Sequence, residues 1–205
     1  RLAEYRDLGA RFAKWRAVIT IDDDIPSSSC IYVNAHALAR YAALCQEADI
    51  VPIVEPEVLM NGVHDIDTCF SVTEETLKTV FQELFDQEIF LEGIILKPNM
   101  VLSALDCSEQ ASVEEVAEST VECFLRTVPA AVPGICFLSG GQSDVFATQH
   151  LNAMNQLNRN FPWSLSFSYG RALQAPALKA WGGKDENFKA GQKAFLKRAK
   201  LIGVA

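Results

Sequence analysis

Hydrophobic positions along the chain follow two rhythms in turn. Short runs are continuous or alternate every second residue, and longer stretches repeat every three to four residues. Ala13 to Ile21 alternates charged and apolar residues at its start and predicts a strand, which Asp22-Asp23-Asp24 and Pro26 end. The Ser27-Ser28-Ser29 run opens a helix through roughly Gln46. Ile50 to Val54 predicts a second strand that runs into a loop, Glu55-Pro56-Glu57. Thr73 is placed to cap a helix with Leu77, Val80, Phe81, Leu84 and Phe85 on one face. Gly93 to Lys97 predicts a third strand, stopped by Pro98. Ser112 and Glu115 have the spacing of a capping box ahead of a helix bearing Val113, Val116, Ala117, Val121, Phe124 and Leu125. Ile135 to Leu138 predicts a fourth strand, broken by Ser139-Gly140-Gly141, and a helix follows through about Met154. Trp163 to Phe167 predicts a fifth, ending in Ser168-Tyr169-Gly170-Arg171. Two helical segments close the chain, the last from about Asn187 to Leu201, where Lys197, Arg198 and Lys200 suit the negative end of its dipole.

Strands recurring roughly every 30–45 residues with a helix between them predict βαβ units and a parallel sheet, an α/β architecture. Charged and glycine-bearing positions fall at or just past the C-terminal ends of strands, where barrels and open sheets carry their sites. Five strands are too few to close a (β/α)8 barrel, which leaves two arrangements: a smaller open sheet, or five units of a barrel without its first three. The 205 residues suffice for a single domain, 1–205, with a full hydrophobic core. The opening Arg1-Leu2-Ala3-Glu4-Tyr5-Arg6 lacks a methionine and reads as the inside of a helix, so a start partway through a longer protein is expected.

A net charge of −8 with no Lys/Arg-rich block argues against a nucleic-acid surface and leaves any anionic substrate to a local cluster. No stretch approaches the roughly 18 apolar residues of a membrane span, and no signal peptide opens the chain, so membrane insertion is not expected. Cys30, Cys45, Cys69, Cys107, Cys123 and Cys136 are irregularly spaced without a CxxC pair. That predicts reduced thiols in a cytoplasmic protein, and neither a disulfide frame nor a zinc site. His36, His64 and His150 are far apart, so no histidine metal centre is expected, and no cofactor.

Lys97 closes the most apolar strand-like run, Ile94-Ile95-Leu96-Lys97. Burial there disfavours the ammonium and favours the neutral amine, a nucleophile toward carbonyl carbon, which predicts Schiff-base chemistry. Lys14 and Arg16, two apart on a strand, share a face, and Glu55 and Glu57 do the same if the chain stays extended through Pro56. A buried ion-pair network that only fixes strand ends accounts for these pairs equally well. Lys97 shifts the balance, because Glu55 beside it can shuttle the protons that imine chemistry requires. Leu138-Ser139-Gly140-Gly141 sets small residues between a strand and a helix, where exposed N–H groups can cradle a phosphate. Gly170-Arg171 repeats the theme with a guanidinium. Either alone is an ordinary turn; on adjacent final strands the two predict a phosphate clamp. Trp15, Trp163 and Trp181 read as packing residues, Phe188, Phe195 and Leu196 as the apolar stripe of the last helix, and His64-Asp65 as a solvated turn.

Six stretches in order, Phe12–Arg16, Val51–Glu57, Leu96–Met100, Phe137–Ser143, Phe167–Gln174 and Leu178–Lys184, resemble class I fructose-bisphosphate aldolase, the Schiff-base glycolytic enzyme. The resemblance runs through essentially the whole chain. It implies a TIM (β/α)8 barrel, of which this chain holds strands four to eight, and a lyase that reversibly cleaves fructose 1,6-bisphosphate to dihydroxyacetone phosphate and glyceraldehyde 3-phosphate. It implies that Lys97 forms the imine, that Glu55 is the acid/base that dehydrates the carbinolamine, and that Glu57 supports the charge network. Lys14 would help hold that network and the substrate hydroxyls, with Arg16 nearby, and Ser139, Gly140, Gly141, Gly170 and Arg171 would bind the C1 phosphate. It further implies a homotetramer, cytoskeletal partners, and, from the first three strands and a C-terminal tail, an aspartate and a tyrosine outside these residues. Another Schiff-base aldolase, of the transaldolase kind, is the related alternative. A non-catalytic aldolase-like binding protein is the alternative of a different class.

Overall fold

The computed structural model describes every residue from Arg1 to Ala205. After a short helix α1 (Leu2–Asp7), strands β1 (Phe12–Ile19), β2 (Val51–Val58), β3 (Ile95–Leu96), β4 (Gly134–Phe137) and β5 (Ser164–Phe167) pair in chain order, all parallel. Helices α2 (Ser28–Glu47), α3 (Ile66–Asp86), α4 (Val113–Thr127) and α5 (Asp144–Gln156) make the crossovers, and α6 (Arg171–Trp181) and α7 (Phe188–Ile202) follow β5. This is the α/β order expected from the alternating patterns. No helix is long and apolar enough to cross a membrane.

Strand pleating divides the side chains between two faces. Ala17, Val54, Leu96, Ile135 and Phe137 point into one continuous core with Leu38, Leu77, Leu84, Val121 and Phe124 of the helices. Phe137 stacks on Phe124 with ring centroids 5.6 Å apart, clamping β4 against α4. The intervening residues, among them Lys14, Arg16, Glu55, Glu57, Lys97 and Cys136, therefore project from the opposite face. The hydrophobic effect thus orients the polar residues: burying one set of alternate positions leaves the other set on the free face.

Several boundaries differ from the sequence expectation, for physical reasons. Strand β2 does not stop at Val54; it stays extended through Glu55-Pro56-Glu57 to Val58. The pairing with β3 ends beside Val54, so the N–H that Pro56 lacks costs no bond to β3. Helix α3 starts seven residues before Thr73. Its N-cap is Asp65, whose carboxylate accepts the Thr68 N–H at 2.8 Å, so His64-Asp65 is a helix start and not a free turn. Thr73 lies buried inside the helix and accepts a hydrogen bond from Asn99. The capping box of α4 forms as expected, with the Glu115 N–H 3.1 Å from Ser112 Oγ. Of the three tryptophans, only Trp163 is buried; Trp15 and Trp181 are exposed, as are Phe85, Leu125, Phe188, Phe195 and Leu196.

Candidate active site

The first three strands bring five charged side chains to one place. Parallel pairing sets Lys14 beside Ile53 and Arg16 beside Glu55. Each cation leans two residues toward the C-terminal end of the sheet to find its carboxylate. Lys14 Nζ lies 2.8 Å from Glu55 Oε2, and Arg16 donates from Nε to Glu57 Oε2. On the other side of β2, the Lys97 N–H continues the ladder by donating to Val54 O at 2.8 Å. That extends the pairing one residue beyond Leu96 and brings Lys97 into register with Glu55, and its Nζ sits 2.9 Å from Glu55 Oε1. One carboxylate therefore stands between two ammonium groups, one oxygen to each.

Burial makes this arrangement consequential. The Glu55 side chain is 3 % exposed and that of Lys97 11 %, whereas Lys14 is 42 % exposed. A carboxylate so deep is tolerable only because both oxygens face cations. Oε2 has no hydrogen-bond donor assigned to it, although Lys14 Nζ is close. Glu55 is thus charge-balanced yet has hydrogen-bonding capacity to spare. The hydrogen bond from Arg16 to Glu57 holds that guanidinium above its ordinary pKa, with burial opposing. Glu57 consequently serves Arg16 and leaves Glu55 to the lysines. Three cations and two carboxylates leave the cluster with one net positive charge.

The second group lies at the ends of β4 and β5. Gly140 and Gly141 have φ of +63° and +119°, the left-handed region that L residues avoid. A Cβ on Gly140 would come 2.5 Å from Met60 Cε, so a side chain there would have to displace the end of Met60. A Cβ on Gly141 would meet the Arg171 guanidinium at 3.6 Å, which means that the two loops already touch. Gly170 starts α6 without any side-chain cap, and a Cβ there would meet nothing within 4 Å. The start of α6 thus carries N–H groups without a side-chain cap beside a guanidinium, the elements of an anion site. Helix α5 differs, since Ser143 Oγ caps it by accepting the Phe146 N–H at 3.1 Å. Ser139 is buried at the loop's entrance, its carbonyl accepting the Gln142 N–H at 2.9 Å. The two groups share a rim: Leu138 N–H donates to Pro98 O, and Ser168 N–H to Phe137 O.

Three supporting residues escaped the sequence reading. Asn99, fully enclosed, accepts the Val58 N–H at 3.0 Å and donates to Thr73 Oγ1 at 3.0 Å, fastening the segment after Lys97 to β2 and α3. Its place directly after a strand-ending Lys-Pro was the available signal. Gln142 spans from His150 Nδ1, 2.6 Å away, to Met100 Sδ, and burial pushes His150 down to about 4. Arg198, which the sequence matches only to the dipole of the last helix, is buried. Cys136 faces Lys97; burial pushes its thiol up, opposed by that ammonium. No group of His, Cys, Asp and Glu is arranged to hold a metal ion.

Known proteins resemble the chain throughout. The family model for glycolytic class-I fructose-bisphosphate aldolase matches residues 1–205. A probable fructose-bisphosphate aldolase class 1 of Xanthomonas axonopodis is 62 % identical over 207 residues, covering 100 % of this chain and 61 % of that protein. The cytosolic fructose-bisphosphate aldolase 4 of Arabidopsis thaliana is 56 % identical over 98 % of this chain and 51 % of its own. Aldolase B of Gallus gallus is 55 % identical over 100 % of this chain and 56 % of its own. Among solved structures, Plasmodium falciparum fructose-bisphosphate aldolase, in a complex with TRAP and a small-molecule inhibitor, superposes with a TM-score of 0.96 at 46 % identity. That superposition covers all of this chain and 59 % of the Plasmodium chain. The chain thus spans about half to six-tenths of the length of such relatives, and its sheet and helices correspond to the C-terminal β/α units of a TIM barrel.

Proposed function

Because the chain belongs to the class-I fructose-bisphosphate aldolase family, we propose that it carries the Schiff-base half of an aldolase site, acting on fructose 1,6-bisphosphate. The observation that carries this reading is Glu55 between two ammonium groups, 2.9 Å from Lys97 Nζ and 2.8 Å from Lys14 Nζ. Lys97 gives a proton to its carboxylate partner and adds through the freed lone pair to the C2 carbonyl carbon, forming a carbinolamine. Glu55, now an acid, returns a proton to the C2 hydroxyl, which leaves as water, and the protonated imine remains. That iminium is an electron sink. As the C4 hydroxyl gives its proton to the Glu55 carboxylate, the C3–C4 bond breaks, its electron pair moves into the C2–C3 bond, and glyceraldehyde 3-phosphate departs. Protonation of the enamine at C3 and hydrolysis of the iminium release dihydroxyacetone phosphate and restore Lys97.

Lys14 in this scheme faces the second oxygen of Glu55 and binds substrate hydroxyls. Arg16, with Glu57 as its fixed counter-ion, steadies the outer edge of the cluster. Ser139, Gly140, Gly141, Gly170 and Arg171 hold the C1 phosphate, supported by the left-handed loop and the uncapped start of α6. A homotetramer in the cytoplasm belongs to the same reading. The cytosolic Arabidopsis relative supports the location, and the TRAP complex of the Plasmodium neighbour supports a protein partner; cytoskeletal partners rest on the resemblance alone.

Borohydride reduction in the presence of dihydroxyacetone phosphate, followed by peptide mapping, tests the assignment. The reduced adduct is expected on Lys97, and an adduct on any other lysine, or none, overturns it.

A further inference from the structure

We infer that Arg198 of α7 is a positioning residue for the phosphate clamp, locking the starts of α5 and α6 in the relative placement that phosphate recognition needs. The inference rests on the clamp proposed above. Arg198 is 5 % exposed, and a guanidinium is buried at a cost of several kcal/mol unless its donors are matched. All its matches converge on one joint. Nη2 donates to Asp144 O at 2.6 Å and to Thr148 Oγ1 at 2.7 Å, both in the first turns of α5. Nε donates to Ala172 O at 3.2 Å, in the first turn of α6, and lies 3.3 Å from Asp144 Oδ2. Ala172 directly follows Arg171, and Asp144 is three residues past Gly141.

A rigid planar fork is therefore inserted between the two segments whose outer ends meet where the Arg171 guanidinium lies on Gly141. A second tie spans the same joint: Tyr169, next to Gly170, donates its hydroxyl to Ala147 O of α5 at 2.7 Å. None of these contacts touches Lys97, Lys14 or Glu55, so Arg198 governs how phosphate is held and not how the imine forms. A lysine at this position keeps the charge but lacks the fork, and it cannot reach both helices at once.

The test is borohydride trapping on the full chain, titrated separately with dihydroxyacetone phosphate and with dihydroxyacetone. Arg198→Lys is expected to raise the half-saturating concentration of the phosphate ester about 10-fold and to leave that of dihydroxyacetone within about twofold. The increase should vanish in an Arg171→Ala background, since both changes act on one interaction. Thr148→Val, a milder removal of one Arg198 acceptor, should move the ester titration in the same direction by about threefold. An equal change for both ketoses, full additivity with Arg171→Ala, or unaltered ester binding in both variants overturns the inference. A native chain that does not prefer the ester overturns the clamp as well; a native preference that is undiminished in both variants overturns the role of Arg198 alone.

Discussion

Glu55 illustrates how one side chain acquires a chemical role from its neighbours. Its two oxygens face different ammonium groups, and it is nearly closed to water, so any proton it exchanges is exchanged with Lys97, Lys14 or a bound molecule. Glu55→Gln keeps the shape, removes the charge and the capacity to shuttle, and leaves both lysines facing a neutral amide. Turnover of fructose 1,6-bisphosphate by the full chain should fall about 10²–10⁴-fold, the usual loss on removing a general acid/base. Steady-state cleavage rates check this, and a rate within about threefold of the native one refutes the role. The identities of Lys97, Lys14, Arg16, Glu55 and Glu57 were legible because residue types at a spacing of two on predicted strands fix a common face. Which carboxylate serves which cation was not legible. That depends on the two-residue lean across the β1–β2 pair, a consequence of register and not of spacing. Arg198 was unreadable for a related reason, since a cation near a helix end satisfies the dipole rule whether it faces water or the core.

Elements were legible where local chemistry and tertiary demand agree. Ser112 and Glu115 close a capping box that needs nothing beyond its own four residues, and α4 begins where the sequence says. Where the two disagree, packing wins. Pro56 reads as the end of a strand, yet β2 continues because β3 is too short to ask for its missing N–H. Thr73 reads as a cap, yet it is held mid-helix by Asn99 while Asp65 does the capping. The Asp65 cap has a pH signature. Hydrogen bonding from Thr68 holds the Asp65 carboxyl below the usual aspartate range. Its contribution is therefore present above the unfolded-state value and lost as pH falls through the lowered folded-state value. Asp65→Asn still caps α3 but does not titrate. The native chain should melt higher than this variant at neutral pH, and thermal denaturation should show the gap closing as pH falls from about 5 through the lowered folded-state value. A gap that stays constant across that range refutes the titrating cap.

The assembled sheet has five strands and hence two unpaired edges, β1 and β5. Fold class and parallel order were legible from the strand–helix alternation, but the count of strands alone left open sheet and barrel equally admissible. The superposition on the Plasmodium aldolase decided between them. The β1 edge carries Phe12 and Trp15 in solvent, the kind of exposed apolar edge that pairs with other chains. Produced as these 205 residues alone, the protein should self-associate at concentrations of about 10 µM, as light scattering would report. A monodisperse species of 22.6 kDa refutes this. The Lys14–Glu55–Lys97 array has a further consequence at this scale. An ammonium and an iminium carry the same charge, so the three groups sum to one positive charge before the ketose is captured and again once the imine stands. In the proposed mechanism the covalent step would therefore leave the net charge of this array as it was, so the surrounding sheet and helices would have no new charge to compensate.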